Sequence, residues 1–427
     1  MRDIALALII AGLMLLALKR PWIGALAWVW VSSMSPHRMA FGFMVEAPVA
    51  QVVALALLAG LLFSKEHKSF PNAVPIKLMI VFTAWMCIGF PFSIVDSKEN
   101  YYQLEKVLKI MVLNLVILVP LYTRKHVDYL IATVAASIGF FGVKGGVFAL
   151  MTGGAYQVRG GGGFIEPNNE LALALIMVIP LILYFALSAK RRWLQYGLFG
   201  VIFLTSVAAV SSQSRGALVA ILAMWAAFLI RSTNRWRVFV PTLLTAIFIA
   251  AFMPDTWWTR MGTIATFETD GSALGRINAW QVSWNVATHH FFGGGFYLED
   301  QSVFNRFAPD PTFIAVAHSI YFQILGHHGF VGLAIYLLMW FFTLRTCSWV
   351  YRNSSSAEDK QLARMAEISL VGFATGGAFL SLAYYDAPYY IMIAMVILRY
   401  KVMQNKPAVS AAAGSAQRSA PVPGRLN

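Results

Sequence analysis

Charged residues are scarce in this sequence, and their scarcity limits the class of protein. Lys, Arg, Asp and Glu make up 12% of the 427 residues, whereas 59% are hydrophobic. Soluble domains carry about a quarter charged residues, so the composition excludes an ordinary soluble enzyme. The apolar residues come in blocks of roughly 15 to 25, long enough to cross a hydrocarbon core. The sequence therefore predicts an all-α polytopic membrane protein.

Cysteine and acidic residues are also few. Cys87 and Cys347 form neither a disulfide framework nor a CxxC metal pair, which argues against redox chemistry. The balance of 33 basic and 19 acidic residues gives a net charge of +14. Most basic residues lie in short clusters between apolar blocks, as is typical of cytoplasmic loops. We therefore interpret the charge as a topology signal, and we expect no nucleic acid partner.

The apolar blocks predict about 12 or 13 transmembrane spans. The first two blocks are short, so they form either two thin spans or one crossing and a re-entrant piece. No small-residue cleavage site precedes Pro21, which favours a retained anchor over a signal peptide. The predicted spans are 4–18, 21–35, 47–63, 75–94, 106–122, 128–150, 170–187, 194–210, 216–230, 237–253, 318–346, 364–383 and 386–400.

Basic clusters alternate with poorly basic segments and so predict the orientation. The segments expected on the trans side of the membrane are 153–169, 211–215 and 254–317. The clusters expected in the cytoplasm are Lys65 to Lys68, Arg124-Lys125, Lys190 to Arg192, Arg231 to Arg237, Arg345 to Arg364 and the tail from Arg399. The chain is thus divided into a catalytic membrane domain, 1–400, and a disordered cytoplasmic tail, 401–427, rich in Ala, Ser, Pro and Gly.

The long segment 254–316 has the composition of an ordered domain. Within it, residues 273–289 suit a helix, because Arg276, Trp280, Trp284 and Thr288 fall on one stripe. This stripe predicts an interfacial helix with an aromatic belt, and Arg276 at its edge is a candidate for function.

Besides Arg276 in the segment 254–317, the other two trans segments also carry candidate phosphate-binding groups. Four consecutive glycines, including Gly161 and Gly162, follow Arg159 and can turn backbone N–H groups toward an anion; the alternative is a flexible linker. Asn168 or Asn169 is expected to cap the next helix. Arg215 in the turn SSQSRGA is either a functional group or an arginine reaching lipid headgroups, and its place on the disfavoured side supports function.

His318, at the start of AHSIYFQILGHHGFVG, is a candidate general base. His327 falls about 180° and His328 about 80° around a helix from His318, so no metal cluster is expected, and Tyr321, Phe322 and Gly326 share its face. Fixed cations beside one titratable base suit a diphosphate on a lipid.

The motifs SQSRGA, GRINAW and HSIYFQILGHHGFVG, in this order, resemble those of the O-antigen ligase and polymerase superfamily of bacterial membrane glycosyltransferases. Residues 4–43 and the stretch GGGGFIEPNNELA look like its branch of exosortase-associated O-glycosylation ligases.

The resemblance implies a GT-C-type fold in the bacterial inner membrane, with the active site facing the periplasm and no cofactor or metal. It implies transfer of a glycan from undecaprenyl diphosphate to a sugar hydroxyl of lipid A-core oligosaccharide. Arg215, Arg276 and His318 match the family's two arginines and its catalytic histidine. In one departure, this chain has His327 where relatives often carry Glu.

Three alternatives remain open at the sequence level. A polymerase or a protein O-glycosylation ligase of the same superfamily would use the same diphosphate pocket and base. A transporter or flippase of lipid-linked sugars would instead need charges along a path through the bundle. Lys109 and Lys144 are the main charges inside the predicted spans.

Overall fold

A computed structural model of the protein describes residues 2–231, 235–262 and 271–405. It is 78% helical and contains no strand among the described residues. The all-α prediction is therefore confirmed. The α-helices are α1 (Arg2–Lys19), α2 (Pro21–Met34), α3 (Val49–Phe63), α4 (Val74–Gly89), α5 (Lys98–Leu118), α6 (Arg124–Met151), α7 (Asn168–Ser188), α8 (Arg192–Ser211), α9 (Arg215–Arg231), α10 (Arg235–Phe252), α11 (Asp255–Gly262), α12 (Gly271–His289), α13 (Gln301–Phe307), α14 (Ile320–Asn353), α15 (Ala357–Gly376) and α16 (Asp386–Asn405).

Five helical segments in the described part of the chain are long and apolar enough to cross a membrane. They are Val74–Phe92, Arg124–Met151, Asn168–Ser188, Arg192–Ser211 and Ile320–Asn353. α3 and residues 243–252 of α10 are apolar but shorter. The chain is accordingly a polytopic membrane protein, and the larger number of spans stays a prediction.

Several helices begin or end away from the predicted boundaries. α5 starts at Lys98, well before 106, because the Ser97 side chain accepts a hydrogen bond from the Asn100 N–H and caps a polar first turn. α15 covers 357–376, where Ser356 caps it, so it is displaced from the predicted 364–383. α16 continues through Asn405, and the remainder of the predicted tail, 406–427, lies outside the described residues.

The first two apolar blocks form separate helices that pack closely with α3. A Cβ on Gly24 would lie 2.9 Å from the Ala17 Cβ, and one on Gly60 would lie 2.2 Å from the Ala17 carbonyl oxygen. The two glycines therefore allow α2 and α3 to approach α1 at the same point. Small residues permit such close backbone contact between helices in a bilayer.

α14 is broken at Gly329, whose φ of 67° and ψ of −173° are not helical. The break frees carbonyl groups of the preceding turn, and these accept hydrogen bonds from elsewhere in the chain. The Gly294 N–H donates to the Gly326 oxygen at 2.8 Å, and the Gly295 N–H donates to the His327 oxygen at 3.2 Å. Trp85 Nε1 donates to the His328 oxygen at 2.9 Å. A non-helical step at this depth is tolerated because these partners satisfy the backbone.

Two predicted cytoplasmic clusters contact each other, and a third contacts the helix α15 that adjoins them. Arg124 Nε lies 2.6 Å from an Asp359 carboxylate oxygen, and Arg231 Nη2 lies 2.7 Å from Glu367. The predicted trans segments form a separate set of mutual contacts, described next. The two classes of segment therefore occupy different ends of the bundle, as alternation along the chain requires.

Candidate active site

The turn between α8 and α9 carries Arg215 and is fixed by its own serines. The Ser214 hydroxyl accepts a hydrogen bond from the Ala217 N–H, while the Ser212 hydroxyl accepts one from the Ser214 N–H. Gln213 adopts a left-handed φ of 56°, an uncommon conformation for a residue with a side chain. This sharp turn ends α8 and places Arg215 at the first position of α9.

Two neighbouring segments are bonded to this turn. The Val158 N–H donates to the Ser211 oxygen at 3.3 Å, and Asn168 Nδ2 donates to the Ser212 oxygen at 2.7 Å. The predicted cap at Asn168 or Asn169 is wrong, because Pro167 occupies the cap position and Asn168 instead reaches across to α8. Residues 153–169 and 211–215 are thus one connected surface.

α12 covers the predicted 273–289, and several residues of its GRINAW stretch make contacts that shape the site. Gly275 allows close approach of the chain that leads to His318, since a Cβ there would lie 3.0 Å from the Phe313 ring. Asn278 Nδ2 donates to the Asp310 and Phe313 oxygens, and Asn278 Oδ1 accepts from the Asp310 N–H. α12 therefore holds residues 310–313 in place.

Trp280 positions the histidine more directly. Its Nε1 donates to the Ala317 oxygen at 2.6 Å, and its ring stacks on Phe322 at 4.9 Å. Trp284 contacts Phe330 edge to face. The predicted stripe of α12 therefore packs against α14, and its tryptophans support the site in addition to any role at the lipid interface.

His318 precedes α14, which begins at Ile320, and has a left-handed φ of 42°. The prediction that Tyr321, Phe322 and Gly326 share its helical face is wrong, because His318 is not in the helix. The Tyr321 hydroxyl instead donates to the Ala374 oxygen at 2.7 Å. His318 Nδ1 is buried and makes no hydrogen bond among the described residues.

Arg215 and Arg276 line one cavity of about 480 Å³, a volume that includes solvent entering from outside. The two arginines therefore converge from α9 and α12. The remaining lining residues are Asn169, Gln213, Ser214, Gly216, Ser272, Ala273, Phe379 and Leu380. No carboxylate is among these described residues, so the cavity suits an anionic group.

Arg276 also interacts electrostatically with His318 and with Glu170. Burial lowers the pKa of His318 below its ordinary range, and the Arg276 charge lowers this pKa further. Both effects disfavour the imidazolium, so His318 stays neutral and able to accept a proton at lower pH than a free histidine. Arg276 is thus shared between the anion cavity and the base.

Arg159, Gly161 and Gly162 are placed differently from the two arginines. Arg159 is exposed and is not among the lining residues of the Arg215–Arg276 cavity. The tetraglycine stretch folds into a tight loop in which the Gly160 N–H donates to the Glu166 oxygen. A Cβ on Gly162 would lie 2.5 Å from Arg38 Cδ, so these glycines pack against the segment after α2.

Sequence reasoning missed several residues that the fold brings to the cavity or to Arg276. Glu170, which interacts with Arg276 but does not line the cavity, lies in the first turn of an apolar helix, and Phe379 and Leu380 follow the end of α15, so neither distance along the chain nor periodicity indicated them. Asn169 was noticed only as a cap. An acidic residue in the first turn of an otherwise apolar helix was the one available signal for Glu170.

His327, at the position where relatives often carry Glu, is buried. Its Nδ1 lies 3.0 Å from the Tyr384 hydroxyl, which also lies 2.7 Å from His328 Nε2. The two histidines therefore share one phenolic partner. This pairing places His327 on the side of α14 that faces Tyr384.

Comparison with known families gives two matches along the chain. Residues 1–190 match a family of unknown function, DUF5935, and residues 200–337 match the family described as O-antigen ligase. No curated protein is significantly similar to the chain. The second match indicates a glycosyltransferase-like membrane enzyme of O-antigen processing. The matched region holds Arg215, Arg276 and His318, and this match supports placing the chain in the O-antigen ligase and polymerase superfamily.

Proposed function

We propose that this protein is an O-antigen ligase in lipopolysaccharide biosynthesis. It transfers a glycan from undecaprenyl diphosphate to a hydroxyl of lipid A-core oligosaccharide at the periplasmic face of the bacterial inner membrane. The observation that carries the proposal is the convergence of Arg215 and Arg276 on one cavity, with His318 in electrostatic contact with Arg276. The family match supports the reaction class.

The proposed mechanism assigns the proton and the leaving group to different residues. His318 accepts the proton of the acceptor hydroxyl, whose oxygen forms a bond to the anomeric carbon. The bond from that carbon to the diphosphate oxygen breaks on the opposite face, which inverts the configuration. Arg215 and Arg276 stabilise the charge that grows on the departing diphosphate. No metal is needed in this scheme, and the trans segments contain no DxD pair.

Arg159, Gly161 and Gly162 are assigned a secondary part in the proposal. The Val158–Ser211 hydrogen bond holds Arg159 beside the turn that bears Arg215. We assign Arg159 to the rim where the diphosphate enters. The two glycines shape the loop that leads from this rim to α7.

The proposal is tested by turnover of His318→Ala and Arg215→Ala with an undecaprenyl diphosphate-linked glycan and lipid A-core. A general base contributes a factor of about 10² to 10⁴, so we expect a loss of this order for His318→Ala. Arg215→Ala should lose activity to a comparable extent because the leaving group loses a cation. Arg159→Ala is the comparison variant, with a smaller loss. Near wild-type rates for the first two variants, at normal expression, would refute the mechanism.

Alternative acceptors are separated by the same assay. A growing lipid-linked glycan as the preferred acceptor would identify a polymerase, and a protein acceptor would identify a protein ligase. The flippase alternative requires charged residues along a path through the bundle, and the two lysines predicted inside the spans do not lie on such a path. Lys109 pairs with Glu105 on the exposed side of α5, and Lys144 is exposed on α6.

A further inference from the structure

A second cavity lies beside the segment that carries His318. Its volume is about 1070 Å³, including entering solvent, and its lining includes Glu99, Gln103, Glu299, Gln323, His327 and Tyr384. A smaller chamber of about 350 Å³ shares Glu299, Gln323 and His327 with it and is also lined by Ala317. The second cavity, with this chamber, therefore reaches the residue next to His318.

Hydrogen bonds donated by backbone N–H groups join the distant segments that form the wall of the second cavity. Asn100 Oδ1 accepts from the Phe296 N–H at 2.8 Å, and the Ile94 N–H donates to the Gly294 oxygen at 3.0 Å. These bonds place the start of α5 beside the loop that carries Glu299. Gln323 Oε1 accepts from the Ala383 N–H, which fixes the opposite wall.

The chemistry of the second cavity is opposite to that of the Arg215–Arg276 cavity. Its described lining residues include two carboxylates and no lysine or arginine. Carboxylates and amides hydrogen-bond to hydroxyl groups, and the rings of Phe164 and Phe296 offer apolar faces to the C–H side of a sugar. Two carboxylates repel a phosphate, so the cavity discriminates against anionic sugars.

Two contacts describe the charges around this wall. The Leu298 N–H donates to the Glu299 carboxylate at 3.3 Å, and burial raises the pKa of Glu299. The Lys106 ammonium lies 4.1 Å from the centre of the Phe164 ring and interacts with the carboxylates of Asp386 and Glu99 and with the cation of Arg38. The charge of this lysine is therefore opposed by carboxylates of its own surroundings.

We infer that the second cavity binds the acceptor as an uncharged, polyhydroxylated sugar. The inference rests on the proposed function, because an inverting displacement brings the acceptor to the face opposite the diphosphate. The arginines line one cavity, Ala317 lines the smaller chamber that shares residues with the second cavity, and His318 follows Ala317 directly in the chain. An acceptor hydroxyl in the second cavity would reach the base without crossing the diphosphate.

The test compares acceptor kinetics of Glu299→Gln with those of Glu105→Gln, which removes an exposed carboxylate from α5 outside this cavity. The probe is a soluble core oligosaccharide, phosphorylated or dephosphorylated, with an undecaprenyl diphosphate-linked glycan as donor. We expect wild type to prefer the dephosphorylated acceptor. Glu299→Gln should raise the acceptor KM about tenfold, because the acceptor loses one hydrogen bond to a charged group. The same substitution should reduce the preference for the dephosphorylated over the phosphorylated acceptor. The donor KM should not change.

Binding is measured separately from turnover by titrating tryptophan fluorescence with the dephosphorylated oligosaccharide. If wild type binds this probe but transfers nothing to it, the proposed function fails and the sugar site stands. If transfer occurs while Glu299→Gln and Gln103→Ala leave acceptor KM unaltered, the sugar site is wrong. A wild-type preference for the phosphorylated probe would also overturn it. If Glu299→Gln does not accumulate in the membrane, Gln103→Ala replaces it as the test variant, because the Gln103 side chain is half-buried and its loss should disturb folding less.

Discussion

Backbone strain concentrates on a few residues of the candidate site. Among the described residues, the non-glycine positions with left-handed φ are Ser35, Gln213 and His318. Gln213 adjoins the turn that bears Arg215, and His318 is the proposed base. Residues in such conformations persist where their surroundings hold them, and they cluster at functional sites. The Trp280–Ala317 hydrogen bond supplies such support for His318.

The sequence indicated the candidate site residues but not their environments. Arg215, Arg276 and His318 stood out because the predicted topology puts these fixed cations and this candidate base on the trans side, where arginine is disfavoured. The coupling of Arg276 to Glu170 was not recognisable, since it joins a loop helix to an apolar span about a hundred residues earlier. The sequence identifies which side chains are charged, whereas their burial and the distances between them depend on how the helices pack.

The pH dependence of transfer reports the Arg276–His318 interaction. Burial and then the Arg276 charge lower the pKa of His318, and in the proposed mechanism the neutral ring is the base. Activity should therefore persist to lower pH than a free histidine would allow. Arg276→Gln removes one of the two causes, so the acid limb of the pH–rate profile should move to higher pH while the rate falls.

Arg306→Gln is the matched control, since Arg306 lies on α13 against Phe307. Its acid limb should coincide with that of wild type. Coincident acid limbs for wild type and Arg276→Gln would show that Arg276 does not tune the base.

At the scale of elements, the break in α14 depends on glycines from another part of the chain. The apolar pattern predicted one continuous span over 318–346, and periodicity could not reveal the break. Gly293 to Gly295 were visible in the sequence, yet their target is the backbone of α14 about thirty residues later. Hydrophobic periodicity reports on side chains, so it could not reveal a contact that is made by backbone atoms.

Gly293→Ala should destabilise the protein through this contact. Gly293 has a φ of 81°, and a Cβ there would lie 2.5 Å from the His327 carbonyl group. The left-handed conformation alone costs an alanine about 1 to 2 kcal/mol, and the overlap adds to it. We expect the thermal unfolding midpoint in detergent to fall by several degrees.

Gly197→Ala is the control for this substitution. Gly197 lies in α8, and a Cβ there would meet nothing within 4 Å. Its midpoint should be unchanged or slightly raised, because alanine favours a helix over glycine. An equal response of the two variants would mean that the packing of 293–295 on α14 contributes no stability.

At the scale of the molecule, the alternation of basic clusters predicted which segments meet. Segments assigned to one side contact one another, as in Arg124–Asp359 and Val158–Ser211. The alternation could not define helix ends, such as the early start of α5, because these depend on caps and on packing. The alternation also predicts which side of the membrane each set of segments faces. The contacts do not test that orientation, so it stays a prediction.

Cysteine labelling tests that orientation. In a Cys87→Ser background, Tyr156→Cys and Ser355→Cys place single exposed thiols at opposite ends of the bundle, with Cys347 buried. A membrane-impermeant maleimide should label Tyr156→Cys in cells with a permeabilised outer membrane. Ser355→Cys should react only after the inner membrane is opened. The reverse pattern would invert the topology and place His318 in the cytoplasm.

The Arg215–Arg276 cavity draws residues from three stretches of sequence that family comparison treats separately. Asn169 lies in the region of unknown function, the arginines lie in the O-antigen ligase region, and Phe379 and Leu380 follow both. Transplanting residues 200–337 into a relative would carry over both arginines but leave three of the ten lining residues of the cavity behind. The proposed anion site therefore depends on parts of the bundle outside the matched O-antigen ligase region, including Asn169 from the N-terminal region.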